Sequence, residues 1–365
     1  MKSSYQRIFD IYNISFIICF FLLFNKSYAD YKSNGTINPE AATPYPKIFK
    51  ENYNVKKLDF LVIGDWGYKG NGTGQASVAA AMKNWAKWNN SQFVINVGDN
   101  FYQIDDNDYD GIQSVDDPKF KTYWLDVYTG RLADIPWFTV AGNHDWYANV
   151  SALLDYYWLK DNRFFIPSLY YVRKSTFGRS KTEVAWIHID TDPFAYFYGN
   201  LTDKNELKAN LATMNIETSD QLEGKLSWIE EQLKAVQDIK WIFVVGHHGL
   251  VGDCSNVYYL PRLRPLFEKY RVTAYFAGHN HVLEMESTNA TSHVTYFTSG
   301  AGGKFDLKGC KGATWGSPGG TMGFLHVSIE DGCDQLYYEF VNATTAGQTP
   351  QVVKQGYINA RTDNV

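Results

Sequence analysis

The chain is poor in cysteine and lacks a basic excess. Its 365 residues include four Cys, and 34 Lys and Arg against 39 Asp and Glu leave a formal net charge of −5. A sequence pI of about 5.9 removes the footprint of a nucleic-acid or anionic-membrane binder, so an anionic substrate has to be attracted locally. Runs long enough to span a membrane are missing too. The N-terminal run "ISFIICFFLLF", Ile14 to Phe24, falls short of the roughly 20 apolar residues that cross a bilayer. It follows Lys2, Arg7 and a lone Asp10 and leads to Ser27-Tyr28-Ala29, the layout of a secretory signal peptide over 1–29. No internal repeat at a fixed period is present. With 45% hydrophobic and 16% aromatic residues, the chain has apolar surface for one large globular domain or two ordinary ones.

With Cys19 in the signal segment, Cys254, Cys310 and Cys333 remain. An oxidising compartment then allows one bridge and one leftover thiol, and the sequence leaves the pairing open. Seven Asn-x-Ser/Thr sequons follow, at Asn34, Asn71, Asn89, Asn149, Asn200, Asn289 and Asn342. That density suits a eukaryotic glycoprotein of the secretory pathway, secreted or lysosomal/vacuolar.

Residues 30–56 are polar, contain three Pro and read as an N-terminal extension. From Leu58 onward, short apolar runs end in Gly-plus-polar clusters: "LDFLVIGDWG", "FVINVGDNFY", "WFTVAGNHDW", "VAWIHIDTD", "WIFVVGHHG", "TAYFAGHNH" and "VTYFTSGAGG". Such runs suit strands buried on both faces. Segments with helical spacing lie between them, including Ala76–Trp88 and Leu222–Val236. The alternation predicts an α/β core with helices outside, over 57–345. "GFLHVSIEDGCDQLYYEFV" reads as a closing hairpin, 346–365 as a C-terminal tail and 196–218 as an exposed loop.

In α/β sheets, ligands gather beyond the carboxyl ends of the strands. Five polar clusters fall there: Asp65 in "GDWG", Asp99 and Tyr102 in "GDNFY", Asn143 and His144 in "GNHD", His247 in "GHHG", and His279 with His281 in "GHNH". Each alone is ordinary turn or cap chemistry. Together they offer carboxylate, carboxamide, imidazole and phenol, a metal-ligand inventory without thiolate. His279 and His281 lie on one side of an extended segment, about 6.6 Å apart. That separation serves two neighbouring ions roughly 3.5–4 Å apart, with a carboxylate such as Asp99 bridging them.

The order Asp, Asp-x-x-Tyr, Asn-His, His, His-x-His resembles the purple acid phosphatases, and most of all their small, tartrate-resistant type. The resemblance spans about Leu58 to Val341 and includes "AGNHDWYANVS", "LRPLFEKYRVTAYFAGHNH" and "SGAGG". It implies the calcineurin-like metallophosphoesterase fold, two central mixed β-sheets packed as a sandwich and flanked by helices. It assigns Asp65, Asp99, Tyr102 and His281 to a ferric site with Asp99 shared. Asn143, His247 and His279 complete a second site for a divalent ion, iron, zinc or manganese. The implied reaction is hydrolysis of phosphate monoesters by a metal-bound hydroxide, with inorganic phosphate as product and a monomer as the working unit. His144 would assist the leaving group, and Asn143 and His144 would orient substrate. Beyond what the resemblance implies, we expect Asp145 to hold the His144 imidazole.

Two features depart from the tartrate-resistant pattern. His248-Gly249 stands where that type carries a pair such as Tyr-Pro, so His248 either contacts substrate or fills the rim. "TDPFAYFYGN" lacks the cysteine that would pair with Cys254. His188, His293 and His326 read as packed or surface side chains, and Trp66, Trp146 and Tyr147 as packing aromatics.

A phenol with an ordinary pKa of about 10 becomes a ligand at acid pH only beside a strong Lewis acid, which favours Fe(III). Ions of about +5, three anionic ligands and a hydroxide leave roughly +1, a local phosphate trap. The competing readings are a manganese- or zinc-dependent phosphodiesterase or protein phosphatase of the same superfamily, and a secreted metal or redox glycoprotein.

Overall fold

The computed structural model describes residues 43–361 apart from 69–73, 106, 200–204, 215, 217, 253–259, 288–292, 311–313 and 345–348. All seven apolar runs that end in Gly-plus-polar clusters form strands. Among the described residues two sheets are present. The first has the order β1 (Phe49–Tyr53), β6 (Tyr171–Phe177), β7 (Thr182–His188), β8 (Trp241–Val245), β9 (Ala274–Ala277), β11 (Thr295–Ser299), β10 (Leu283–Ser287), β12 (Trp315–Gly316). The second runs β15 (Gln351–Asn359), β14 (Gln335–Asn342), β13 (Gly323–Glu330), β2 (Lys57–Ile63), β3 (Phe93–Asn96), β4 (Trp137–Thr139), β5 (Phe164–Phe165). Both are mixed. β2 to β5 are parallel neighbours, as are β7, β8 and β9, while β13–β14 is the antiparallel hairpin read from the sequence.

The sheets face each other across an aromatic core. Phe60 of β2 meets Trp186 of β7 edge-on at 5.1 Å, and Phe93 of β3 meets the same indole at 5.4 Å. Helices cover the outer faces. α1 (Gly74–Asn89) buries Val78, Ala79, Met82, Trp85 and Ala86. A later helix, Asp220–Ala235, buries Leu222, Leu226, Ile229 and Leu233, the stripe that its sequence spacing predicts. The architecture is the two-sheet sandwich flanked by helices.

Both ends of the chain contribute more than expected. Residues 49–53, within the expected extension, pair in parallel with β6 as β1. Glu51 accepts two hydrogen bonds of 2.8 Å from Arg173, whose guanidinium is wholly buried over the Phe138 ring. Residues 351–359, within the expected tail, form β15 against β14, with a bulge at Phe340/Val341. Both are edge strands of mixed polarity, so the continuous apolar run that marks a central strand is absent from them.

Residues 196–218 are likewise not an open loop. They contain the end of the helix Asp192–Gly199 and the helix Asn205–Thr213, and Leu211, Met214 and Ile216 are buried. A weak apolar period hid this second helix. Its Asn210 amide donates to the carbonyls of Trp146 and, at 2.6 Å, Ala148, so tertiary contact rather than periodicity fixes it.

Cys310 is disulfide-bonded and Cys333 is free and exposed, which rules out a Cys310–Cys333 bridge. Cys254 lies outside the described residues. So do the expected signal segment, Asn34, Asn71, Asn200 and Asn289, while Asn89, Asn149 and Asn342 are half-buried. No helix among the described residues is long and apolar enough to cross a membrane.

His326, on β13, is buried, with its ring nitrogens 2.8 Å from Asp59 on β2 and 2.8 Å from Glu339 on β14. Only the doubly protonated ring donates to both. Burial opposes that charge, but the two carboxylates outweigh it and push His326 up to about 9. Glu339 also accepts from Trp85 of α1 at 2.7 Å, so the cluster ties helix to sheet. The folded pKa lies above the unfolded value, so the contribution is complete below about pH 6.5 and is lost as pH rises through 9. Unfolding free energy measured in urea should fall by about 3 kcal/mol between pH 6 and 10. His326→Gln should flatten that fall, and an equal fall in the variant would contradict the assignment.

Candidate metal centre

The five polar clusters converge because the strands before them are neighbours. Asp65 follows β2, Asp99 and Tyr102 follow β3, and, beyond the short helix α2 (Arg131–Asp134) and β4, Asn143 and His144 open the short helix α3 (Asn143–Trp146). His247 follows β8, and His279 and His281 follow β9 in the facing sheet. Asp65 (φ 57°), Asp99 (φ 51°) and His279 (φ 70°) adopt left-handed backbone without being glycine. Such residues cost about 1 kcal/mol or more each and persist where surrounding structure holds them. Gly142 is required for contact. A Cβ there would lie 2.5 Å from the Asp99 backbone nitrogen and 2.7 Å from His247 Cε1.

Seven side chains fall into two sets that share one carboxylate. In the first, the Tyr102 hydroxyl lies 2.9 Å from Asp65 Oδ1 and 3.3 Å from His281 Nε2, and His281 Nε2 lies 3.6 Å from Asp65 Oδ1. In the second, Asn143 Oδ1 lies 3.2 Å from His247 Nε2 and 2.8 Å from His279 Nδ1. Asp99 divides between them: Oδ2 is 2.7 Å from the Tyr102 hydroxyl, and Oδ1 is 3.3 Å from His247 Nε2. Asp99, His247 and His279 alone place three ligand atoms within 4.8 Å of one another.

Neighbouring groups fix which atoms face inward. His247 Nδ1 donates to the Val97 carbonyl at 2.8 Å, leaving Nε2 for the centre. His281 Nδ1 faces Asp306 Oδ1 at 3.3 Å, and the Asn143 amide nitrogen donates to the Tyr147 hydroxyl at 2.9 Å, turning Oδ1 inward. Such outer partners orient ligands and raise their basicity. Asp306 and Tyr147 were not among the expected supports, since one lies in a Gly-rich loop and the other reads as a packing aromatic.

Without a cation the site is electrostatically crowded. Burial, reinforced by the Asp99 charge and opposed by His247, pushes Asp65 up to about 7. Burial and the two carboxylates push the Tyr102 phenol well above its usual range. This surplus of buried acceptors is what one or two cations relieve, so the donor set fits the binuclear centre that the family implies.

His144 is partly exposed beside the cluster, its ring centroid 4.1 Å from that of Tyr102. Its backbone N–H donates to Asp99 Oδ1 at 2.9 Å. Its imidazole is held by Asp110, with Oδ1 2.8 Å from Nδ1, and not by Asp145 as expected. Asp145 instead accepts from the backbone N–H of Gly142 at 2.9 Å and from the Asn100 amide at 2.8 Å, closing the first turn of α3. One residue along a helix turns a side chain by about 100°, so Asp145 points away from its neighbour's ring. His248 is wholly buried beside His279, with Nδ1 2.9 Å from the Thr191 hydroxyl. It is therefore neither a rim residue nor open to substrate in this structure.

A family model, Calcineurin-like phosphoesterase, matches residues 58–283, and the chain belongs to that family. Its relatives place it more narrowly. Purple acid phosphatase 7 of Arabidopsis thaliana is 33% identical over 71% of this chain and 75% of its own. Tartrate-resistant acid phosphatase type 5 of Rattus norvegicus is 29% identical over 79% of this chain and 87% of its own. This is a purple acid phosphatase by descent, and acid phosphatase is its class of activity. Two solved structures share the fold. One, described as GAP50, the anchor in the inner membrane complex of Plasmodium, has a TM-score of 0.66 at 23% identity, covering 84% of this chain and 90% of that one. Purple acid phosphatase PPD1 from yellow lupin (Lupinus luteus) seeds has a TM-score of 0.52 at 15% identity, covering 84% and 55%.

Gly142→Ala tests the geometry of the centre. The added methyl must displace Asp99 or His247, so metal content after dialysis should drop by about tenfold or more while the far-ultraviolet circular dichroism is kept. Full metal retention would contradict the contact.

Proposed function

We propose that this acid phosphatase hydrolyses phosphate monoesters to inorganic phosphate at a centre of Fe(III) and a divalent ion, iron, zinc or manganese. The observation that carries the reading is the Tyr102 hydroxyl, held within 3 Å of two buried carboxylates. Asp65, Tyr102 and His281 would hold the ferric ion and Asn143, His247 and His279 the divalent one, with Asp99 placed between the two sets. When bound, the ions supply Lewis acidity to the attacking and leaving oxygens. Asn143 contributes a neutral oxygen where another carboxylate would cancel the positive excess that attracts phosphate.

His144 is the proton donor to the leaving alkoxide. Asp110 anchors Nδ1, which directs Nε2 toward the centre, 4.0 Å from Asp99 Oδ2. All these side chains come from one chain, which supports a catalytically complete monomer. The N-terminal apolar segment and the sequons support passage through the secretory pathway and glycosylation. A phenol at this place favours the stronger Lewis acid Fe(III) over the manganese- or zinc-only centre of a phosphodiesterase or protein phosphatase.

Two variants test the reading. Tyr102→Phe should remove the visible absorption band of the purified iron-loaded protein, and a band that survives would deny the tyrosine its ferric partner. His144→Ala should lower kcat near pH 5 by about 100-fold or more on an alkyl phosphate and by less on an aryl phosphate, whose leaving group needs a proton less. Equal turnover by variant and parent on both substrates would refute the proton-donor role.

A further inference from the structure

We propose that Lys119 is a positioning residue for the reaction, holding the loop that aims Asp110 and His144 at the centre; this rests on the reading of His144 as proton donor. Residues 105–117 contain six aspartates. A segment of that composition repels itself unless a cation lies within it. Lys119 supplies one. Only 4% exposed, it directs Nζ to the carbonyls of Tyr102 and Gly111, each at 3.3 Å, and to that of Tyr109. It also pairs with Asp108 Oδ1 at 3.0 Å and lies 4.2 Å from the Tyr109 ring centroid. Three carbonyls and a carboxylate around one buried charge form a set that loses its balance when any member is removed.

The placement of those carbonyls gives the lysine its role. Residues 109 and 111 flank Asp110. The third carbonyl, of Tyr102, precedes Gln103, whose backbone N–H donates at 2.8 Å to Asp110 Oδ1, the oxygen that also faces His144 Nδ1. Lys119 thus fixes the peptide groups that decide where that oxygen lies. Its own backbone is fixed in turn by Asp117, which accepts the Lys119 N–H at 3.0 Å, the Tyr109 hydroxyl at 2.6 Å and the Gln113 N–H at 2.8 Å. Gly111, with φ 65°, lets the loop lie against α3, where a Cβ would be 2.9 Å from the His144 carbonyl. Tyr102 has separate anchors, its N–H on the Gly67 carbonyl at 3.0 Å and its hydroxyl in the centre. Loss of the lysine therefore falls on the Asp110–His144 pair and spares the metal ligands.

Lys119→Met, made in the parent and in His144→Ala, separates positioning from general stability. With an alkyl phosphate, Lys119→Met is expected to lower kcat about tenfold in the parent, with metal content and KM kept within about twofold. In the His144→Ala background it should cost nothing further, because the group it positions is gone. Asp108→Asn neutralises the lysine's carboxylate partner while keeping an oxygen for the Ile104 N–H that Asp108 also accepts; it keeps the question open to measurement if Lys119→Met does not fold, and should show the same dependence on His144. Equal losses in both backgrounds, or no loss in the parent, overturn the proposal. If His144→Ala leaves kcat unaltered, the proton-donor reading falls and the role of Lys119 with it; if that variant is impaired and the losses multiply, only the assignment of Lys119 falls.

Discussion

Two carboxylates and a phenol share a volume from which water is excluded, and much of the local structure follows from keeping them there. Asp65, Asp99 and Tyr102 are at most 1% exposed. Their oxygens approach within hydrogen-bond distance, the Tyr102 hydroxyl lying 2.9 Å from Asp65 Oδ1 and 2.7 Å from Asp99 Oδ2. Such an arrangement does not form because it is favourable in itself. It is imposed by left-handed backbone at Asp65 and Asp99, by a glycine at 142 that leaves no room for a methyl, and by backbone donors such as His279 N–H to Asp65 Oδ2 at 2.9 Å. Local stability is given up at the strand ends in exchange for a site shaped around positive charge.

The acid side of the chemistry is built differently. The ligands stand at the ends of central strands, where the scaffold is rigid. His144 stands on a one-turn helix whose direction is set by Asp145, and its ring is set by Asp110 from a separate loop. In the proposed reading His144 has to reach a leaving group that varies between substrates; its ring lies partly exposed, and its orientation depends on a polar network with Asp110. A displaced network changes the direction of Nε2 while leaving the ligand oxygens in place.

The sequence made the converging polar cluster legible for a physical reason. Buried parallel strands must be apolar throughout, so each polar residue just past a strand end stands out, and the preceding glycines mark where the backbone turns sharply. The same logic made the two helical stripes and the β13–β14 hairpin readable. It failed where burial is one-sided or where contact is not local. β1 and β15 are edge strands of mixed polarity, and the helix Asn205–Thr213 depends on Asn210 reaching the carbonyls after α3. Asp110 was hidden among six acidic residues in a loop with no period. Asp145 drew attention by adjacency, yet neighbouring residues on a helix face different ways, and its carboxylate serves the backbone of its own turn.

Each ligand set also draws on both sheets. The first takes Asp65 and Tyr102 from the loops after β2 and β3 and His281 from beyond β9; the second takes Asn143 from the helix after β4 and His247 and His279 from the loops after β8 and β9. A cation in either set therefore links the carboxyl ends of the two sheets, whose aromatic core lies behind. Because the unfolded chain cannot present the same ligands together, the free energy of binding adds to that of folding. The electrostatic strain at the strand ends and the stability of the sandwich are thus coupled through the occupant of the centre.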